Sequence, residues 1–323
     1  TPAPPTLARG SVERRQVMLS VANYSDGART REPVVSGVPI PKGELASPRN
    51  ARLLDASGAE VICTITSTGV WPDGSVKWLL LDFQATAAPR EIAHYTLEYG
   101  NAVVAADSTP EVNVERDGQR TIVDNGVARF EFDPEAGEPL VAWADESEVP
   151  ALSLDGVIVA ADGRRWDMKS ARDTRVEVEA RSVSRAVVRL RGRFAGNDGP
   201  GPIEFDHRIH IFAGRGEALI EYGFVPTAEE DTIPLRLVRV RLNGATPGEV
   251  RFSPSSGGAV AAQACDSPHL LQTGESAYGN QGSFPFAVSK ADGTELASGE
   301  KAFGVLRAGN TLVCVPRFWE QFP

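Results

Sequence analysis

Alternation of apolar and polar residues with a period of two runs through most of the chain. It marks the segments 90–99, 121–123, 127–132, 176–180, 186–194 and 203–212. Further strand signals are 16–21, 60–65, 218–224 and the almost continuous apolar segment 76–83. Side chains alternate between the two faces of a strand, so this pattern predicts antiparallel sheets that each bury one face. The 31 glycines and 23 prolines indicate many turns and few long helices. We therefore predict an all-β protein.

Two segments interrupt the predicted strands. Prolines and glycines between Val34 and Gly43 exclude a central strand, and we expect a surface loop there. The small, polar stretch 101–117 predicts a boundary between a shorter first domain and a larger second one. A chain of 323 residues is long enough for two domains. The long strands of the second part, charged on one face, predict a large antiparallel β-sandwich.

A net charge of −10 at pH 7 limits the classes of partner. Such a chain repels phosphate backbones and anionic lipid, so we expect no nucleic acid and no membrane surface as partner. No apolar run approaches the roughly 20 residues that cross a bilayer. The proline-rich leader, residues 1–6, is typical of what remains after a signal peptide is removed. We therefore expect an extracellular or periplasmic protein.

The most polar stretch within a strong strand pattern is 206–210. Asp206, Arg208 and His210 fall on one face, whereas His207 falls on the apolar face and is predicted to be a core histidine. Arginine offers paired donors to a carboxylate, and histidine donates or accepts near neutral pH. Asp206, Arg208 and His210 are therefore candidates for binding an acidic substrate. A solvated face with no ligand is the alternative interpretation.

The cysteines and histidines are not spaced as metal ligands. Cys63, Cys265 and Cys314 are far apart and odd in number, which excludes a disulfide framework and lacks the paired spacing of a zinc site. His207 and His210 point to opposite faces of one predicted strand and cannot chelate one ion. We expect no metal site.

Three short motifs have structural explanations. The segment 214–216 (GRG) lacks the third glycine and the helix of a dinucleotide site, so we interpret it as a hairpin turn. The segment 72–74 (PDG) predicts a tight turn, beside which we expect Trp71 and Trp78 to be buried. The sequon at 23–25 (NYS) is a pattern that often arises by chance. Local motifs alone identify no catalytic machinery.

The last eight residues are unusually aromatic. Phe318, Trp319 and Phe322, together with Arg317, follow the final predicted strand. Exposed aromatic clusters of this kind mark interaction surfaces. We expect these four residues to dock a further domain.

These segments resemble the YetA-like and exo-rhamnogalacturonan lyase family (polysaccharide lyase family 26). The resemblance rests on 37–43 (GVPIPKG), 71–79 (WPDGSVKWL), 207–209 (HRI) with 213–214 (AG), and 317–323 (RFWEQFP). It implies a leader at 1–15, a RIFT-type β-barrel at 16–105, a central β-sandwich at 106–315, and at 316–323 the start of an α/α toroid that is missing here.

The resemblance also implies a reaction. Such a lyase neutralises a uronate carboxylate, removes the C5 proton and helps the C4 oxygen to leave, using side chains without a cofactor. The expected substrate is an acidic pectic polysaccharide or oligosaccharide, the expected partner is the missing toroid, and the catalytic residues stay unassigned. A non-catalytic carbohydrate-binding or scaffolding module is the alternative. A third interpretation is that the β-domains only brace the toroid.

Overall fold

The computed structural model describes residues 12–107, 109–144, 150–227, 234–243, 248–255, 258–272, 286–299, 305–308 and 311–314. These ranges contain β-strands, the short 3-10 helices Pro48–Asn50, Met168–Ser170 and Ala264–Asp266, and no α-helix. The predicted all-β fold is confirmed. No helix in the described part of the chain is long and apolar enough to span a membrane.

The described residues form two compact units. Those within 1–147 and 154–241 belong to the first unit, and those within 148–153 and 242–323 belong to the second. The predicted domain limits at residues 105 and 315 stay a prediction.

The first seven strands of the first unit form two antiparallel sheets around one core, and we call this part the barrel. The strands are β1 (Arg15–Ala22), β2 (Arg29–Pro39), β3 (Ala51–Leu54), β4 (Glu60–Val61), β5 (Cys63–Val70), β6 (Val76–Ala87) and β7 (Ile92–Tyr99). One sheet has the order β1-β7-β3-β4 and the other has the order β2-β6-β5. Alternate residues of β6, including Leu79, Leu81 and Phe83, are fully or almost fully buried in the shared core.

Strand β2 corrects the predicted surface loop at 34–43. Val34 to Pro39 pair with β6, and Pro33 lies opposite Gln84. Within the described sheet β2 is an edge strand, where a proline that lacks an N–H removes no necessary ladder bond. The prolines therefore exclude a central strand, as predicted, but they do not exclude a strand.

The turn at 71–75 joins β5 to β6 as predicted. The Asp73 carboxylate accepts from the Ser75 N–H at 3.0 Å and from its hydroxyl at 2.6 Å. The hydroxyl of Ser75 in turn accepts from the Gly43 N–H at 2.9 Å. Gly74 has φ +84°, a conformation that a side chain disfavours. The turn thus fixes both β6 and the loop after β2.

The remaining strands of the first unit build one eleven-stranded sheet. They are β8 (Asn113–Asp117), β9 (Arg120–Asp124), β10 (Ala128–Phe132), β11 (Leu140–Ala144), β12 (Leu152–Ala160), β13 (Arg165–Asp167), β14 (Arg175–Arg181), β15 (Arg185–Gly196), β16 (Gly199–Phe212), β17 (Ala218–Pro226) and β18 (Leu235–Asn243). Strand β16 pairs with β15 and β17, and β14 pairs with β15. Phe132, Leu154, Phe194 and Phe205 are fully buried.

The second unit contains two smaller sheets. Its strands are β19 (Glu249–Ser255), β20 (Gly258–Gln263), β21 (His269–Gln272), β22 (Phe286–Ser289), β23 (Glu295–Gly299), β24 (Val305–Ala308) and β25 (Thr311–Cys314). One sheet has the order β20-β19-β24-β25 and the other β21-β22-β23. Phe252, Phe286 and Val288 are buried together in its core.

Candidate functional site

Strand β16 separates its polar and apolar residues as the alternation predicts. Phe205, His207 and Ile209 are completely buried. Asp206, Arg208 and His210 point to the other face and are half-buried. The three candidate residues therefore share one face, which we call the polar face.

On the polar face, Asp206 is held by an arginine of the neighbouring strand β15. The Arg189 guanidinium donates to both carboxylate oxygens of Asp206, with Nε 2.7 Å from Oδ1. This bond is the main reason why the pKa of Asp206 lies below its ordinary value. Asp206 is thus ionised and already paired.

Arg208 is paired just as closely, with a carboxylate from β14. Its Nε and Nη2 donate to the two oxygens of Glu179 at 2.6 and 2.9 Å. The hydrogen bond from Arg208 lowers the pKa of Glu179. Arg208 Nη1 also lies 3.9 Å from Asp206. A substrate carboxylate that binds Arg208 through Nε and Nη2 must therefore replace Glu179.

His210 faces an arginine and is neutral. Arg185 Nη1 lies 3.2 Å from His210 Nδ1. Since a guanidinium only donates, Nδ1 is the acceptor and the proton is assigned to Nε2. Burial, and then the charge of Arg185, lowers the pKa of His210. Nε2 is buried, and its nearest carboxylate, on Glu221, is 3.6 Å away.

Arg185 connects the polar face to the barrel. Its Nε and Nη2 lie 3.0 and 2.8 Å from Oδ2 of Asp82, which lies on β6. The Ser184 hydroxyl donates to the other oxygen of Asp82 at 3.3 Å. The side chains of Arg185 and Asp82 are only 16% and 9% exposed. This pair is the most deeply buried ion pair described at the polar face.

Sequence reasoning missed the partners of the polar face. They are Asp82, Glu179, Arg185 and Arg189. A signal was present, because β14 and β15 both place charged residues at alternate positions. Charged stripes on neighbouring strands of one sheet are expected to pair across the strands.

His207 is enclosed by aromatic rings on the buried face, in agreement with its predicted core position. Its ring lies 5.6 Å from Phe205, 5.2 Å from Tyr222 and 6.0 Å from Phe224 between centroids. Neither ring nitrogen has a hydrogen-bond partner within the described structure. Burial lowers the pKa of His207 to about 4, so the ring is neutral.

The described residues contain no group of three or more His, Cys, Asp or Glu side chains that could hold a metal ion. Cys63 and Cys265 are free thiols. Burial raises the pKa of Cys63 to about 12, which makes it a poor metal ligand or nucleophile.

The predicted docking residues Arg317, Phe318, Trp319 and Phe322 lie outside the described residues. Their docking to a further domain stays a prediction.

Trp78 corrects a sequence expectation, because it is 42% exposed instead of buried. Its neighbour Leu79 takes the core position, so alternation sends Trp78 to the outer face of the sheet. Added Cβ atoms at Gly37 and Gly69 would lie 3.9 and 3.6 Å from its ring. The two glycines leave room for the indole beside the strands. Trp71 is half-buried, and its indole N–H donates to the Ile40 carbonyl at 3.0 Å.

Comparison with known proteins identifies the barrel. Residues 20–99 match the PcRGLX-like N-terminal RIFT barrel domain. This confirms the predicted RIFT-type barrel at the N-terminus. No curated protein matches the chain.

Two solved structures from Enterococcus faecalis are similar to this chain. A protein in the glycosyl hydrolase family 38 has 12% identity and a TM-score of 0.50, over 89% of this chain and 41% of that one. An alpha-mannosidase from strain V583 has 13% identity and a TM-score of 0.47, over 98% of this chain and 42% of that one. The chain thus spans about two fifths of the length of each. At 12% identity the first likeness shows the fold alone.

Proposed function

We propose that this chain is the β-domain portion of an exported, polysaccharide lyase-like protein. Its substrate is an acidic pectic glycan of the rhamnogalacturonan type, which is cleaved by β-elimination. The observation that supports this most is the match of residues 20–99 to the PcRGLX-like RIFT barrel. Export to the extracellular space or periplasm is part of the proposal.

In this proposal the polar face contributes one wall of a cleft, and a following α/α toroid contributes the rest. Arg208 exchanges Glu179 for the uronate carboxylate, so the guanidinium stays neutralised throughout. His210 has its proton on the buried Nε2 and its Nδ1 bonded to Arg185, so neither nitrogen is free to act as the base that removes the C5 proton. The base and most of the cleft are supplied by the toroid.

The test compares the 323-residue chain with a chain extended by its native downstream residues. The short chain is expected to be inactive on rhamnogalacturonan, and the extended chain is expected to release unsaturated products, detected by their ultraviolet absorbance. In the extended chain, Arg208→Ala and His210→Ala should each lower activity more than stability. Arg164→Ala is the matched control, since Arg164 is an exposed arginine paired with Asp162 away from the polar face.

Full activity in both Arg208→Ala and His210→Ala would show that the polar face is a solvated surface that binds no substrate. Elimination by the 323 residues alone would contradict the requirement for a toroid.

A non-catalytic carbohydrate-binding module is the second candidate, favoured by the exposed indole of Trp78 between two glycines. Exposed aromatic rings offer a flat apolar surface that suits the apolar face of a sugar ring. This candidate predicts glycan binding without product, and lower affinity in Trp78→Ala. A chain that only braces a toroid would show no glycan affinity by itself.

A further inference from the structure

A cleft of about 450 Å³ lies on the RIFT barrel, and its lining contains no residue of the polar face. The loop between β1 and β2, the start of β2 and the end of β6 form it. Its lining includes Tyr24, Ser25, Arg29, Glu32 and Ala85. The volume falls in the range typical of small-molecule sites.

One wall of the cleft is fixed by a buried asparagine. Asn23 is 7% exposed, and its Nδ2 donates to the carbonyls of Gly27 and Ala88, both at 2.8 Å. Its Oδ1 accepts from the Ser25 hydroxyl at 2.7 Å. The loop is therefore pre-organised. In the folded chain these bonds engage the side-chain amide of Asn23, in the segment 23–25 that fits the sequon.

Strained backbone lies on both sides of the loop. Arg31 and Arg90 have φ of +53° and +59°. Arg31 lies in a bulge of β2, where the register shifts between Arg29 and Glu32. Non-glycine residues in this region cost of order 1–3 kcal/mol each, and such strain is concentrated at functional sites. Besides the cavity itself, this backbone strain is a second feature that indicates a functional site at the cleft.

Arg29 at the cleft is not neutralised in the way that Arg208 is. Its side chain is 51% exposed, and its nearest carboxylate, Glu32, is 3.9 Å away. Its Nε donates to the Ser25 hydroxyl at 3.3 Å. Glu32 also lies 3.4 Å from Arg215. Within the described structure no carboxylate holds Arg29 in a bidentate pair, so it has donors for an anionic ligand.

The other groups of the cleft suit a sugar ring. Tyr24 is 81% exposed and presents an aromatic face at the cleft. Ser25 and Glu32 can bond hydroxyl groups. An aromatic ring, an available guanidinium and hydroxyl-binding groups together fit a pyranose that carries one carboxylate.

We propose that this cleft binds one residue of a sugar acid. Arg29 pairs with the carboxylate, and Tyr24 lies against the ring. The proposal rests on groups of the barrel alone. It does not require elimination or the polar face.

The test is a calorimetric titration of the 323-residue chain with galacturonic acid and, separately, with galactose. Galactose has the same ring without the carboxylate, and we expect it to bind at least about tenfold more weakly, as loss of a charged hydrogen bond implies. Arg29→Gln and Tyr24→Ala should each weaken galacturonic acid binding, Arg29→Gln by about tenfold or more. Arg164→Ala is the matched control, and its affinity should be unchanged, because Arg164 is an exposed arginine paired with Asp162 and does not line the cleft.

Both sites of substitution are exposed, and an unchanged melting temperature of each variant will confirm that it folds. Absence of galacturonic acid binding, equal binding of galactose, or full affinity in Arg29→Gln would each overturn the proposal. If Arg208→Ala lost galacturonic acid binding and Arg29→Gln and Tyr24→Ala kept it, the sugar acid would bind at the polar face and not at the cleft. Failure of the lyase assay would overturn the proposed reaction and leave this site standing.

Discussion

Two arginine-bearing surfaces of the first unit differ in how completely their charges are paired. On the polar face, Arg189 and Arg208 each hold a carboxylate through two hydrogen bonds. At the barrel cleft, Arg29 has one bond to a hydroxyl and a carboxylate at 3.9 Å. The arginines of the polar face are paired with carboxylates of the same sheet, whereas Arg29 has N–H donors that no carboxylate holds in a bidentate pair. An arginine in a polar stretch is therefore a weak predictor of ligand binding until its partners are known.

Strand register explains the difference. In regular pairing Arg189 lies directly opposite Arg208, so two like charges meet, and carboxylates on neighbouring positions neutralise them. At the cleft, the bulge between Arg29 and Glu32 interrupts the pairing of β2 with β6. Arg29 itself lies opposite Ala87, which carries no charge, so no carboxylate at the opposite position of β6 pairs with it.

The largest expected effect concerns the junction where the polar face meets the barrel. Asp82→Ala leaves the Arg185 guanidinium buried without its carboxylate. We expect a loss of about 3 kcal/mol in the free energy of unfolding, because an unpaired buried charge is strongly destabilising. Urea denaturation measures it. Asp26→Ala is the control, since its pair with Arg90 is exposed and should contribute little. A loss below about 1 kcal/mol would show that this charge is solvated like those of the cleft.

His207, behind the polar face, should make stability depend on pH. Its pKa is about 4 in the folded state against an ordinary 6.5, so between these values the unfolded chain binds a proton that the folded chain does not. The free energy of unfolding should therefore fall, by about 3 kcal/mol from this group, as the pH drops from 6.5 to 4. Urea denaturation at a series of pH values measures the slope.

His207→Phe should remove most of that slope, because the replacement has no proton to bind and keeps the aromatic surroundings. At pH 7 it should fold at least as well, since two buried nitrogens without hydrogen bonds are removed. Tyr222→Phe, beside the same imidazole, should leave the slope unchanged, because burial raises the pKa of Tyr222 to about 12, far above this pH range. An unchanged slope in His207→Phe would assign the dependence to other groups.

The sequence predicts the fold better than it predicts the contacts. Alternation alone places His207 in the core and Asp206 and Arg208 on one face, because burial imposes the period of two. The edge strand β2 was mistaken for a loop, since composition shows that proline disfavours pairing but not which strand is at the edge. Trp78 was expected to be buried beside the turn, and the almost continuous apolar segment 76–83 has no clear alternation that would have placed it outward.

The turn at 71–75 provides the next test, because it fixes strand β6 of the barrel that carries the cleft. Gly74→Val should lower the free energy of unfolding by at least about 1 kcal/mol, since a β-branched residue is strained at φ +84°. Thermal unfolding measures it. Gly216→Val is the control, because Gly216 has open space around its Cα and no positive φ. An unchanged melting temperature in Gly74→Val would contradict the structural role of this turn.

The candidate sites were predictable only in part. Asp206, Arg208 and His210 were placed on one face, but their pairing depends on Glu179 and Arg185, which are 20 or more positions away in the chain. The cleft was not predicted at all. It depends on a bulge and on two positive φ angles, and neither is visible in a pattern of apolar and polar residues.

The smallest expected effect tests the ion pair between Arg208 and Glu179. Arg208 and Glu179 are each 34% exposed, so Arg208→Ala should cost less than about 1 kcal/mol of stability, and salt should screen that loss. The informative readout is the Glu179 carboxyl, followed by NMR through a pH titration. Its pKa lies below the ordinary value because Arg208 donates to it, so it should rise in Arg208→Ala. The pKa of Asp206 should stay low, since Arg189 is its main partner. Arg29→Ala should change neither pKa. If the pKa of Glu179 stays where it is in Arg208→Ala, the pair does not form in solution, and Arg208 is as available to a ligand as Arg29.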